Sequence, residues 1–149
     1  MTLRVRVPNW VAGPPVVLLN GTVIPAAQAG IPAALTGIVG PQPDRWIALH
    51  RWWQRGDRLE VTLPMQLAFE PTPDFPSVQA AIYGPIVLSG VYATDPGELT
   101  PVLDTASVHR TATQPMAFEA AAPAKGKPIR LIPVARAAHT YYTVYWLTA

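Results

Sequence analysis

A chain of 149 residues, half of them hydrophobic, is long enough to bury one sizeable core or two small ones. Eighteen prolines and ten glycines beside only 13% charged residues exclude long helices, because proline removes a backbone donor and clashes with the preceding turn. The formal charge of +2 comes from eleven scattered cations against nine acids, too diffuse for the cationic face that binding a nucleic acid needs.

In chain order, strand signals dominate. Met1 to Val7 lacks an apolar stretch followed by a small-residue cleavage site, so nothing reads as a secretory leader, and no compartment is indicated. Leu3, Val5 and Val7 alternate with Arg4 and Arg6, which predicts a half-buried strand ended by Pro8. Val16 to Leu19, Asn20-Gly21 and Thr22 to Ile24 predict a hairpin, since a type I′ turn needs positive φ at both central residues. No charge lies between Arg6 and Asp44, yet Pro8, Pro14, Pro15, Pro25 and Pro32 interrupt every apolar run well short of the roughly 20 residues of a membrane span. No membrane partner is expected.

Ala26 to Pro43 reads as a long loop with one short helical turn. Trp46 to Trp53 is a predicted strand, Arg55-Gly56-Asp57 a turn, and Leu59 to Leu63 the next strand. Ser77 to Tyr92 is a longer apolar strand region bent at Gly84-Pro85. Thr94 to Lys127 is the least ordered stretch, with a turn at Asp95-Pro96-Gly97 and a linker-like Ala120 to Lys127. Ile129 to Pro133 and the aromatic, β-branched Tyr141 to Leu147 are the last strands, the second suited to a sheet interior. Together they predict an all-β, antiparallel, jelly-roll-like sandwich with little helix. Residues 1–149 would form a single domain, with a subdivision near 93–127 into a second small β unit as the alternative.

Chemistry-bearing patterns are sparse. There is no cysteine to supply a disulfide, a thiolate nucleophile or a sulfur ligand. His50, His109 and His139 lie far apart without a second ligand at metal spacing, and no GxSxG elbow or glycine-rich phosphate loop occurs. Asp57, Glu60, Glu70 and Asp74 are the nearest approach to a carboxylate cluster, but turn chemistry and strand alternation explain the first two. The Arg55-Gly56-Asp57 tripeptide is explained by hairpin geometry in the same way. The aromatics are harder to dismiss, because sugars stack their apolar faces on rings, and Trp10, Trp46, Trp52, Trp53, Tyr83 and Tyr92 are candidates for a platform. Trp52 and Trp53 are consecutive, so in a strand one of them faces away from the core.

Several motifs occur in a telling order: Arg6-x-Pro8-x-Trp10, the Asn20-Gly21 hairpin, Arg51 and Trp53 followed by Gly56-Asp57, Pro64-Met65, Tyr83-Gly84-Pro85, and the closing Tyr142-Thr143-Val144-Tyr145-Trp146. In this combination the chain resembles, over nearly its whole length, the C-terminal β-sandwich region of the β-L-arabinofuranosidase family, glycoside hydrolase family 127. That family's chemistry resides in an upstream helical (α/α)-barrel with a cysteine nucleophile, zinc ligands and acidic residues, none of which has a counterpart here. The resemblance therefore implies a non-catalytic accessory domain, with no catalytic residue, metal or cofactor of its own, partnered by the helical-barrel catalytic domain of a parent protein. It also implies that His50 to Met65 is a structural hairpin, while the Ala/Pro-rich loop before Trp46 departs from the family pattern.

The rival expectation, from a different class, is a carbohydrate-binding module using Trp10, Trp53 and Tyr83. A further expectation follows if upstream strands and the barrel are missing. The first strand would then expose an unpaired edge and an apolar face, favouring a homo-oligomer, with Arg4 and Arg6 opposing edge-to-edge pairing.

Overall fold

The computed structural model describes residues 1–25, 28–29, 45–93, 95, 97, 101–112, 114–121 and 128–148. The predicted loop from Ala26 to Pro43 and the linker-like Ala120 to Lys127 fall largely outside these residues. The described chain is all-β, its helical content confined to two 3-10 turns, Thr105–Ser107 and Val134–Arg136. None of its helices is long and apolar enough to cross a membrane. It divides into two compact units, Met1–Gln66 and Leu67–Ala149. The segment 93–127, where the sequence suggested a subdivision, supplies strands to the second unit.

In the first unit, β1 (Thr2–Val7) pairs antiparallel with β4 (Arg45–His50), in register from Thr2 opposite His50 to Val7 opposite Arg45. β2 (Val16–Leu19) lies between β3 (Thr22–Val23) and β5 (Leu59–Thr62) in a three-stranded antiparallel sheet. Asn20 and Gly21 have φ of 51° and 81°, the positive pair that a type I′ connection demands. Both sheets contribute to one core, in which Val7, Val17, Ile47 and Leu49 are buried and Val5, Leu59 and Val61 pack around them. Fully burying one such side chain contributes about 1.5–3 kcal/mol, and two-residue alternation is what directs them to one side. The strand expected to run to Trp53 ends at His50. Its ladder to β1 stops at Thr2, and beyond it the indole of Trp53 donates to the Met1 carbonyl at 3.2 Å.

The second unit is one large sheet. It comprises β6 (Leu67–Pro71), β7 (Val78–Tyr83), β8 (Ile86–Tyr92), β9 (Val102–Leu103), β10 (His109–Arg110), β11 (Phe118–Ala121), β12 (Pro128–Pro133), β13 (Tyr141–Thr143) and β14 (Tyr145–Thr148). The Gly84-Pro85 interruption is a full chain reversal rather than a bend, since Tyr83 pairs with Ile86 across it. After two paired positions β7 and β8 diverge, and the C-terminal segment enters the fork. β13 pairs with β8 through Tyr141, Tyr142 and Thr143, then β14 pairs with β7 through Tyr145, Trp146 and Leu147. The predicted Tyr141 to Leu147 strand is thus broken at Val144. Thr143 Oγ1 seals the corner by donating to the Tyr145 carbonyl at 3.0 Å.

The fork closes over a tight contact. Trp146, Leu88 and Leu131 are fully buried, and a Cβ placed on Gly90 would lie 2.8 Å from Ile129 Cγ2 and 3.0 Å from Trp146 Cζ2. Only a residue without a side chain lets the indole come this close to β8. β6 carried little sequence signal, because its inner face offers just Leu67 and Phe69, both half-buried, before Pro71 ends it.

Candidate functional site

The stretch from His50 to Asp57 forms a polar knot between two turns of the first unit. Asn20 Nδ2 donates to Asp57 Oδ1 at 2.9 Å, while Asn20 Oδ1 accepts from the Arg58 backbone N–H at 2.8 Å. Asp57 Oδ2 accepts from the Gln54 backbone N–H at 2.9 Å and lies 3.5 Å from Arg51 Nη2. Arg51 in turn sits 5.3 Å over the Trp53 ring and donates through Nε to the Trp52 carbonyl. The Gln54 amide, then the Asn20 side chain, and behind them the Arg51 charge, hold the Asp57 carboxyl below its ordinary value of 3.8 against the opposing effect of burial. An ionised carboxylate bound in this way has no proton to give as a general acid, which requires a raised value. The acidic group that an adhesion tripeptide would present is likewise turned inward, its side chain only 9% exposed.

The other sequence candidates are dispersed. Glu60 pairs with Arg58 at 3.2 Å on the surface of the first unit, whereas Glu70 and Asp74 belong to the second. His50 Nδ1 lies 2.6 Å from Thr2 Oγ1, and His109 Nδ1 lies 3.0 Å from the Ser107 carbonyl. Among the described residues no group of three or more His, Cys, Asp or Glu is placed to hold a metal ion.

Of the three proposed platform rings, Trp10 and Trp53 are half-buried and pack against the core of the first unit. Tyr83 is buried in the second unit, edge-on to Phe118 at 5.2 Å between centroids, with the Arg110 guanidinium 5.7 Å from its own ring centre. The rings that the fold leaves open are others. Trp52 is 91% exposed in the first unit, at the edge of a depression of about 440 Å³ lined also by Leu19, Ile24 and Leu49. In the second unit Phe75, Tyr142 and Tyr145 are exposed around an open groove of about 520 Å³ that also takes in Asp74. The sequence signalled that one of Trp52 and Trp53 would face out. Nothing in it signalled the groove, because its two walls are more than sixty residues apart and meet through the β7–β14 pairing.

Residues 1–65 match the family model described as "Beta-L-arabinofuranosidase, GH127 middle domain". The match ends at residue 65, one residue short of the first unit's end at Gln66. Among solved structures, a glycoside hydrolase superposes with a TM-score of 0.63 at 15% identity, covering 99% of this chain and 28% of its own. A GH127 β-L-arabinofuranosidase from Geobacillus stearothermophilus T6 gives 0.59 at 18% identity, covering 100% of this chain and 26% of its own. Another GH127 β-arabinofuranosidase gives 0.50 at 18% identity, over 91% and 23%. At these identities the likeness shows the fold, and the chain spans 23–28% of the length of those proteins. No curated protein matches the sequence.

Proposed function

We propose that this chain is a non-catalytic β accessory region of a GH127-like glycoside hydrolase, supporting or docking on a helical-barrel catalytic domain. The observation that carries the reading is the coincidence of the family match with the first unit, joined to a whole-chain fold likeness that accounts for about a quarter of each glycoside hydrolase superposed on it. The engagement of Asp57 and Glu60 with Asn20 and Arg58 supports the non-catalytic part, because a hydrolytic carboxylate pair must be free to face a scissile bond.

The docking part is supported by Trp52. Core packing does not account for an indole that stands almost wholly in solvent beside a depression of mixed polar and apolar lining, and tryptophans commonly anchor protein interfaces. In this reading Trp52 and the rim formed by Leu19 and Ile24 are covered by the catalytic domain.

Two measurements test it. The pure chain is expected to leave a chromogenic β-L-arabinofuranoside unhydrolysed, and turnover abolished by a single Asp or Glu substitution would make it an independent glycosidase instead. Co-expressed with the helical-barrel catalytic domain of a GH127 β-L-arabinofuranosidase, the chain is expected to co-purify with the barrel. Trp52→Arg is expected to weaken that association by about tenfold or more. The docking surface is wrong if Trp52→Arg co-purifies as well as the parent.

A further inference from the structure

We infer that the groove of the second unit, walled by Phe75 on one side and by Tyr142 and Tyr145 on the other with Asp74 at its edge, binds a neutral sugar residue of a glycan. The kind of sugar rests on the glycoside-hydrolase reading above; the groove itself does not. Its volume of about 520 Å³ falls in the range of ordinary ligand sites, about 300–1,000 Å³, and it is open enough to admit one unit of a longer chain.

Three features carry the inference. The rings are displayed rather than packed: Phe75 is 68% exposed, Tyr142 53% and Tyr145 48%. A sugar's C–H face stacks on such surfaces, and the tyrosine hydroxyls add hydrogen-bonding ends.

Both walls are also fixed in advance. On one side Thr72 Oγ1 donates to the Phe75 carbonyl at 2.8 Å, the Thr72 N–H to the Val78 carbonyl at 2.9 Å and the Val78 N–H to the Phe75 carbonyl at 2.8 Å. On the other, Thr143 holds the corner that sets Tyr142 and Tyr145 apart. The Thr148 N–H ties the two together by donating to the Ser77 carbonyl at 3.0 Å. Ordering of the walls is thus completed by folding and is not charged against ligand binding.

Finally, Asp74 is exposed and makes no hydrogen bond or ion pair with the described residues, so its two oxygens are free to accept from adjacent hydroxyls. It is the one carboxylate on the groove among the described residues, and its negative charge sets the ligand class by repelling carboxylated sugars.

The test is calorimetric titration of the full chain with neutral arabino-oligosaccharides and with an oligogalacturonide of equal length, followed by amide shifts at Thr143 to Tyr145. Neutral oligosaccharides are expected to bind with about millimolar affinity and to move those amides. The oligogalacturonide is expected not to bind, and Asp74→Asn to admit it. Phe75→Ala and Tyr145→Ala are each expected to weaken neutral binding about tenfold while the near-ultraviolet signal of buried Trp146 stays unchanged, since both rings are on the surface. Absence of neutral binding by folded protein, or binding indifferent to both ring variants, overturns the proposal. So does loss of barrel association in those variants without any sugar binding, which would make the groove a protein contact. A null titration leaves the accessory-region reading standing, whereas hydrolysis by the chain alone would end that reading and leave the groove to be judged by its own titration.

Discussion

In the first unit the chain is held at its turns as much as by its core. The Asn20-Gly21 hairpin and the Gln54 to Asp57 turn are fastened to each other by side-chain hydrogen bonds, and the core beneath them is built from small strands with a few valines, Ile47 and Leu49. In the second unit no such polar knot joins the described turns, and the fork of β7 and β8 is closed by shape, with Trp146 lying against the bare backbone of Gly90. The contrast teaches where each kind of order is written. A polar knot uses residues with marked local preferences, Asn, Gly and Asp in turns, so it leaves a signature in a few contiguous positions. A close-packed contact depends on complementary volumes brought together from distant segments, and leaves almost none.

Substitutions at four positions and one measurement of association put this contrast to the test. Trp146→Ala should have the largest effect, a loss of about 3–5 kcal/mol in urea unfolding, because it removes the largest fully buried side chain among the described residues. Trp146→Phe should cost distinctly less, since the indole N–H finds no hydrogen-bond partner among the described residues and its removal forfeits none. If the two variants were equally destabilised, the N–H rather than the ring would be holding the fork.

Next comes Gly90→Ala, expected to cost about 1–3 kcal/mol through overpacking against Ile129 and Trp146. Combined with Trp146→Phe, whose smaller ring relieves part of the clash, the loss should be less than the sum of the two. Strict additivity would show that they do not meet.

In the first unit, Asp57 makes stability depend on acid. Its folded value lies below the ordinary 3.8, so its contribution is fully present above pH 3.8 and is lost as pH falls through the folded value. The urea midpoint should therefore hold from neutrality down to about pH 4 and then decline. Asp57→Asn should lower the neutral plateau by less than either change at Trp146 or Gly90 and should flatten the acid decline. An unchanged acid limb in Asp57→Asn would mean that other carboxylates govern it.

Trp52→Ala should have the smallest effect, within about 0.5 kcal/mol of the parent, because the side chain stands in solvent. A larger loss would place Trp52 in the scaffold and remove it from the proposed docking surface. Light scattering on the same pair of proteins tests the homo-oligomer proposed from sequence. Association that rises with concentration in the parent and falls in Trp52→Ala would show that a second copy covers this indole in the absence of the barrel, and a strict monomer in both would discard the oligomer.

What the sequence determined by itself follows from local rules. Two-residue alternation placed Leu3, Val5 and Val7, and Leu59 and Val61, on inward faces, and Asn20-Gly21 specified a turn whose φ values the fold displays. The ordered motifs from Arg6 to Met65 carried the resemblance that the family match over residues 1–65 supports. Tertiary structure decided the rest, for identifiable reasons. Tyr141 to Leu147 reads as one strand because β propensity is the same on either side of Val144; only the divergence of β7 and β8 gives its two halves different partners. Tyr83 and Trp10 look, as residue types, like rings for a ligand, yet burial was settled by Phe118 in one case and by the first unit's core in the other. The groove of Phe75, Tyr142 and Tyr145 exists because a ladder joins residues 78–80 to 145–147, and pairing between segments so distant in sequence is selected by the summed fit of whole strands, which no short stretch of residues encodes.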